Sequence, residues 1–355
     1  MQKKLLMKGN EAVAEAAIKA GCIHFFGYPI TPQTEIAAYM AKRLPKIEGG
    51  VYLQAESEIA AVNMVLGASA AGIRAMTSSS SPGISLKTEC ISYMAGSDIP
   101  CLIVNVQRAG PGLGGIQPSQ ADYWQATRGL GHGGAHALVF APSSIQEMVD
   151  MVFDGFELAE QYRMPAIILS DGLLGQMMEP VIFPEREPKL IEKPWALTGH
   201  QFKRDHNIVN SLYLEAAELE KKNNERESRY EEIKRLHSKV QEYMTEDAAV
   251  AVVAYGAAAR VAGAAVDAAR EKGIKAGLIR PVTLWPFPSE QIKDAAEKLA
   301  GILTVEMSHG QMVDDVRLAV NGRIPVEFYG RNGGILPTQD EIMQQIIGLA
   351  ERVIQ

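Results

Sequence analysis

Ile23-His24-Phe25-Phe26-Gly27-Tyr28-Pro29-Ile30-Thr31-Pro32-Gln33-Thr34-Glu35 reads as a buried strand, a stiff turn and the start of a helix. The apolar run 23–26 is closed by Gly27. Pro29 and Pro32 restrict the turn, and a helical pattern continues over 34–44. The same unit recurs outward from this stretch. Apolar runs stand at 51–53, 74–77, 101–106, 137–140 and 166–169, each bounded by Gly, Pro or Ser, with helical patterns at 57–71, 85–95 and 144–161 between them. Ser144 and Glu147 have capping-box spacing. Upstream, Asn10 is placed to N-cap EAVAEAAIKA, with Gly21 at the helix end. This alternation predicts an α/β fold, a doubly wound and mostly parallel sheet covered by helices on both faces.

The character changes at 184–200, where Pro184, Pro188 and Pro194 are spread among charges, as in a linker. Over 207–244 the sequence EAAELEKKNNERESRYEEIKRLHSKVQEYM places Tyr230, Ile233, Leu236, Val240 and Tyr243 at helical spacing. It reads as a solvated helical connector, with a partner-binding arm as the alternative. A second α/β unit follows. AVAVVAYG is a buried strand, AAARVAGAAVDAAREKG a helix ending at Gly273, and KAGLIRPVTLWPFP a strand and turn. Strands at 302–306 and 326–328 and a helix at 339–353 close the chain. The expected segments are therefore 1–185, 186–245 and 246–355.

Across 355 residues, 47% are hydrophobic and 22% charged, which is enough apolar material for a full core. A net charge of −7 without a Lys/Arg cluster in the α/β parts argues against nucleic acid or an anionic membrane as partner. No apolar run reaches membrane-spanning length, and the N-terminus lacks a signal-peptide core. Cys22, Cys90 and Cys101 are far apart and form no CxxC pair, so a metal or iron–sulfur site held by this chain is not expected. Their odd number fits reduced thiols in a cytoplasm.

There is no P-loop, no GxSxG and no HExxH, so His24, His132 and His136 are not expected to bind metal. Gly110, Gly112 and Gly115 satisfy GxGxxG after the strand CLIVNVQ. However, Pro118 interrupts the position of the following helix, and no acidic residue ends the next strand. An active-site loop fits this stretch better than a dinucleotide fingerprint.

Two stretches carry chemistry. In 28–32, Thr31 presents a hydroxyl and nearby amides from the end of a strand, where ligands of parallel sheets bind. A plain strand–helix turn is the alternative. In Gln54-Ala55-Glu56-Ser57-Glu58, a carboxylate runs into the apolar helix IAAVNMVLGASAAG. Desolvation there suits a group that shares a proton with a cofactor nitrogen, although such a residue can also serve as a helix cap.

Taken together, GYPITPQTE, QAESEIAA, TSSSSPGISL, VNVQRAGPG and SDG, in this order, resemble the alpha subunit of 2-oxoacid:ferredoxin oxidoreductases. GPGLGGIQPSQADYWQAT adds a likeness to the branched-chain, 3-methyl-2-oxobutanoate type, with the 2-oxoglutarate type a relative. The resemblance spans nearly the whole chain. It implies a thiamine-diphosphate-binding, pyrimidine-type domain followed by a transketolase C-terminal-like α/β domain. Glu58 matches the glutamate that hydrogen-bonds the aminopyrimidine and supports removal of the thiazolium C2 proton, with Glu56 as the alternative. Thr31 and Arg108 match residues that hold the substrate carboxylate. Tyr28, Pro29 and Ile30, and Ser80, Ser81, Pro82 and Gly83, match the loops that line the cofactor.

In thiamine enzymes a GDG motif is followed by a later Asn that helps hold Mg²⁺. Ser170-Asp171-Gly172 has no such Asn, so the resemblance implies that thiamine diphosphate is shared with a partner. Mg²⁺ and [4Fe-4S] clusters are expected in partner subunits: a beta subunit with the diphosphate site and a cluster, and gamma and ferredoxin-like delta subunits. Ferredoxin, CoA and a 2-oxo acid are the implied reactants. The rival readings are a Rossmann-type NAD(P) oxidoreductase built on the 110–115 loop, and a non-catalytic scaffold using the 207–244 helix.

Overall fold

The computed structural model describes residues 4–185 and 187–354. Residues 1–3, 186 and 355, which the expected segment ranges include, lie outside the described residues.

All six expected strands of the first unit join one seven-stranded sheet. Its order is Val51–Gln54, His24–Gly27, Ala75–Ser79, Cys101–Gln107, Pro165–Asp171, Leu138–Phe140 and Thr283–Trp285. Every neighbouring pair is parallel except the last. The three central strands are buried along their whole length, as strands covered on both faces must be. The edge strand Thr283–Trp285 arrives from the second unit's sequence and pairs antiparallel with Leu138–Phe140, so the chain crosses back to finish the first sheet. The parallel pairing places the 28–32 turn, Gln54–Glu58, Ser80–Gly83, Arg108 and Asp171 at one carboxyl edge, the position at which such sheets bind ligands.

The second sheet runs Val326–Gly330, Gly301–Glu306, Val250–Ala254, Ala276–Pro281 and Val240–Tyr243. The first four strands are parallel and the last is antiparallel. The helical expectation for Val240 and Tyr243 is corrected here. The connector helix Ala216–His237 stops before them, and Val240–Tyr243 gains ladder bonds along Ala276–Pro281, which a lone exposed helix end could not match. Tyr230 and Ile233 are the buried face of the connector, and Leu236 is exposed. The helix is docked against the first unit. Arg226 donates to the carbonyls of Ala95 and Gly96, Arg229 pairs with Asp98, and Tyr162 Oη bonds His237 Nε2 at 2.8 Å.

Three further boundaries differ from the sequence pattern. Asn10 lies inside the helix Gly9–Lys19 rather than capping it, because its buried amide donates to Pro32 O at 2.8 Å and to Glu35 Oε2 at 2.9 Å. The helix expected at 85–95 begins at Ser81, since Pro82 is tolerated in a first turn whose N–H groups have no i→i−4 partner to lose. Ser144 Oγ accepts from Glu147 N, but the Glu147 carboxylate turns to Ser143 N and Oγ, leaving half a capping box. The pairing of Leu5–Lys8 with Met178–Val181 had no sequence signal.

The proline-rich stretch after residue 184 is anchored by a buried charge cluster. Arg74 and Glu160 form a two-point pair, each side chain 3% exposed, and Lys193 adds a bond to Glu160 at 2.8 Å. Burial works against the Glu160 charge, but Arg74 and Lys193 hold its carboxyl below the usual range. Arg74 also donates to Ala20 O and Lys189 O, so one guanidinium ties a strand, a helix end and the linker together. Glu160→Gln leaves Arg74 buried without its counter-charge and is expected to lower stability by about 3–5 kcal/mol in urea denaturation. A loss below about 1 kcal/mol would contradict this account of the anchor.

Candidate active site

Two helix starts meet at the carboxyl edge of the sheet. Ser57 caps Glu58–Ala70, its Oγ accepting from Ala60 N at 3.1 Å, and this fixes Glu58 as the first helical residue. Glu58 is 8% exposed, whereas Glu56 stands in solvent. The facing helix Ser81–Gly96 brings Gly83 against the Glu58 side chain. A methyl group at Gly83 would lie 2.2 Å from Ser79 Oγ and 2.9 Å from Glu58 Oε1, so only glycine leaves room there. The hydroxyls of Ser79 and Ser80 are buried and have no hydrogen-bond partner in the protein. Buried polar groups left open in this way are available to a water or to a bound group. Behind Glu58 lies Lys87, fully buried, with Nζ donating to Glu58 O at 3.1 Å.

The second cluster links Ser81, Arg108 and Thr31. Arg108 N donates to Ser81 Oγ at 3.0 Å, and the Ser81 hydroxyl donates to Asp122 Oδ2 at 2.6 Å. Asn105 Nδ2 also donates to Asp122, and its Oδ1 accepts from Ser81 N. Burial raises the Asp122 carboxyl pKa, opposed by Ser81, Asn105 and Arg108. The Arg108 guanidinium donates to Thr31 O at 3.1 Å and to Leu113 O at 3.0 Å, while its buried Nε has no partner. Arg108 therefore couples the 28–32 turn to the 109–118 loop, and its charge lies beside Thr31, which is exposed. In that turn Pro29 is exposed, Tyr28 and Ile30 are half-buried, and Gln33 joins the Tyr28 carbonyl to Ser78.

The glycine loop is not a phosphate cradle. Ala109 N donates to Gln117 O and Gly115 N to Ala109 O, closing the loop on itself. No helix starts until Tyr123–Thr127. Gly114 has φ 58°, and a methyl there would lie 1.9 Å from Ala109 O, so glycine serves the loop's own closure. The loop separates two cavities. One, of about 670 Å³, is lined by Ser81, Pro82 and Asp122 with His309 and Gln311 of the second unit. The other, of about 570 Å³, holds Thr31, Gln117 and Leu336.

The carboxylate of Ser170-Asp171-Gly172 is engaged in the fold. Asp171 Oδ1 accepts from Leu173 N and Leu174 N and caps a short helix. Cys22, Cys90 and Cys101 are buried, and burial raises each thiol pKa. His136 stacks on Trp285, and His132 faces Ser92. Among the described residues no group of three His, Cys, Asp or Glu side chains could hold a metal, and no helix is long and apolar enough to cross a membrane. Sequence reasoning missed Lys87, Asn105 and Asp122. Only the i to i+4 spacing of Gly83 and Lys87, which puts both on one helix face, hinted at the first of these.

The fold and site define a two-unit α/β chain with a buried glutamate at the carboxyl edge of a parallel sheet, near a cavity lined by Ser81, Pro82 and Asp122. A family model for the thiamine-diphosphate-binding region of pyruvate flavodoxin/ferredoxin oxidoreductases matches residues 15–245, and one for pyruvate:ferredoxin oxidoreductase core domain II matches residues 248–342. The chain belongs to the 2-oxoacid:ferredoxin oxidoreductase family, as an alpha-type subunit. It is 49% identical to the ketoisovalerate oxidoreductase subunit VorB of Methanothermobacter marburgensis, over 97% of each chain. It is 38% identical to the 2-oxoglutarate synthase subunit KorA of Methanothermobacter thermautotrophicus, over 98% of this chain and 99% of that one. Among solved structures, the 2-oxoglutarate:ferredoxin oxidoreductase from Magnetococcus marinus superimposes with a TM-score of 0.87 at 28% identity, covering 98% of this chain and 65% of that chain. A split-gene transketolase shares the fold, with a TM-score of 0.60 at 13% identity.

Burial pushes the Asp171 carboxyl up to about 6, against the amides of Leu174, Leu173 and Ala257. A carboxyl pKa raised in the folded state contributes stability that is present below the unfolded value and lost as pH rises through the folded one. The contribution is on the order of 3 kcal/mol, lost between about pH 4 and about pH 6. Asp171→Asn is expected to remove this part of the slope from a plot of urea midpoint against pH. A variant that tracks the wild type in parallel would show that Asp171 titrates normally.

Proposed function

We propose that this chain supplies the pyrimidine side of a thiamine diphosphate site that is completed by a partner subunit. The complex carries out CoA-dependent oxidative decarboxylation of a 2-oxo acid, giving acyl-CoA and CO₂ with reduction of ferredoxin. The observation that carries this is the Glu58 cluster: a buried carboxylate, a glycine that lets the facing helix start pack against it, and two buried serine hydroxyls without a protein partner, in a family whose matched region is described as thiamine-diphosphate-binding. These residues fit a flat, polar-edged ring. Glu58 would share a proton with a ring nitrogen, Gly83 lets the ring approach, and Ser79 and Ser80 offer hydroxyls to its polar edge. When bound, thiamine diphosphate supplies the carbanion chemistry and accepts the electrons released on decarboxylation. With Asp171 serving as a cap and no metal-ligand cluster among the described residues, the diphosphate and its Mg²⁺ fall to a beta subunit. Iron–sulfur clusters fall to that subunit and to a ferredoxin-like delta chain, with a gamma chain completing the assembly in the cytoplasm.

Thr31 and Arg108 receive the substrate carboxylate. Arg108 spends two N–H groups on backbone carbonyls, so its charge and its unpartnered Nε address the anion while it holds the Thr31 turn. The proposed substrate is 3-methyl-2-oxobutanoate, supported by relatives named as ketoisovalerate subunits at 49% and 46% identity against 38% for those named for 2-oxoglutarate.

The test is viologen reduction by the natively purified complex with thiamine diphosphate, CoA and a panel of 2-oxo acids. CoA-dependent reduction, fastest with 3-methyl-2-oxobutanoate, is expected. A preference for 2-oxoglutarate would change the substrate, and no reduction with any acid would overturn the reading. Glu58→Gln should lower turnover at least about a hundredfold in an assembled complex, and near-normal turnover would remove Glu58 from the chemistry. Arg108→Ala should raise the KM for the 2-oxo acid with a smaller effect on kcat, and an unchanged KM would take Arg108 out of the carboxylate site.

A further inference from the structure

Lys87 is a buried cation that the proposed chemistry does not use. It lies on the helix Ser81–Gly96, one turn beyond Gly83, and its side chain is fully buried. Among the described residues its one hydrogen-bond partner is Glu58 O, at 3.1 Å. An ammonium carries three donors and is costly to desolvate, so a buried one that contacts a single carbonyl must be compensated by charge. Two titratable groups face it: Glu58, across the helix crossing, and Cys90, one turn along its own helix. Cys90 is a thiol that burial keeps protonated, with its pKa pushed up to about 11, so Glu58 is the only counter-charge of the two.

We propose that Lys87 is a positioning residue for Glu58. From behind the helix start, its ammonium fixes the Glu58 backbone carbonyl and charge, so that the carboxylate stays directed across Gly83 toward the cofactor ring. The role presupposes Glu58 as the ring's partner. Geometry makes the link specific. Gly83 and Lys87 share one face of one helix, and that face meets the side chain of Glu58 at one point and its carbonyl at the other. Burial pulls the Lys87 pKa down to about 8, against the attraction of Glu58, so the clamp releases just above neutral pH.

The test is thiamine diphosphate affinity, measured by calorimetry on the cofactor-stripped complex in the presence of Mg²⁺ across this range. Between about pH 7 and about pH 9 the wild-type Kd should weaken roughly tenfold, as Lys87 loses its proton. Lys87→Met, close in volume, should bind more weakly at pH 7 and lose that pH dependence. Lys87→Arg, charged throughout, should bind tightly at pH 7 and stay flat to pH 9. A wild type without the break, or a break that persists in Lys87→Met, would overturn the assignment. Should Lys87→Met fail to assemble, the comparison of wild type with Lys87→Arg decides, and an unchanged break in that variant would overturn it. Full turnover by Glu58→Gln would instead sink the reading of Glu58 itself, whatever Lys87 does.

Discussion

At the crossing of the helices Glu58–Ala70 and Ser81–Gly96, the Glu58 carboxyl group and the Lys87 ammonium are both taken out of water, and Lys87 Nζ reaches the Glu58 backbone carbonyl. Neither is affordable alone, since an uncompensated buried charge costs several kcal/mol. Together they demand a defined backbone. Ser57 sets where one helix begins, Pro82 allows the other to begin at Ser81, and Gly83 supplies the gap between them. The strand ladder from Val51–Gln54 to Cys101–Gln107 then holds both helix starts at one edge of the sheet. Arg108 carries the arrangement sideways to the Thr31 turn.

The second unit closes this edge, and one glutamine sits at the centre of the junction. Gln120 is fully buried and has all its polar groups engaged by the second unit. It exchanges bonds with Met307 N and O, donates to Tyr255 O and accepts from Tyr255 Oη. Glu306, beside it, accepts amides from Gln311, Met312 and Val313, and burial raises its carboxyl pKa. Gln311 then reaches back to Ala121 and Trp124. The larger cavity next to Ser81 is therefore walled by both units, and its shape depends on this junction.

Much of this architecture is legible in the sequence. Glycine, proline and serine punctuation located the central strands, because a buried parallel strand is a short apolar run that must stop where the chain turns. The buried place of Glu58 at the start of an apolar helix was legible from the run of sequence that follows it. What escaped were residues whose meaning depends on distant partners. Asn10 has the chemistry of a cap but is claimed by Pro32 and Glu35, and Val240 and Tyr243 keep helical spacing yet pair with a strand more than thirty residues on. Thr283–Trp285 belongs by sequence to one unit and by hydrogen bonding to the other. Lys87 looks like any solvated lysine until the crossing helix is in place.

In the proposed function, Glu58 of this chain governs proton traffic on a cofactor shared with a partner. Hydrogen–deuterium exchange at C2 of thiamine diphosphate, followed by quenched-flow NMR in the assembled complex, reads that step without substrate, CoA or electron transfer. Glu58→Gln should slow the exchange by at least about a hundredfold while the cofactor stays bound. Exchange at the wild-type rate in a loaded Glu58→Gln complex would contradict the account.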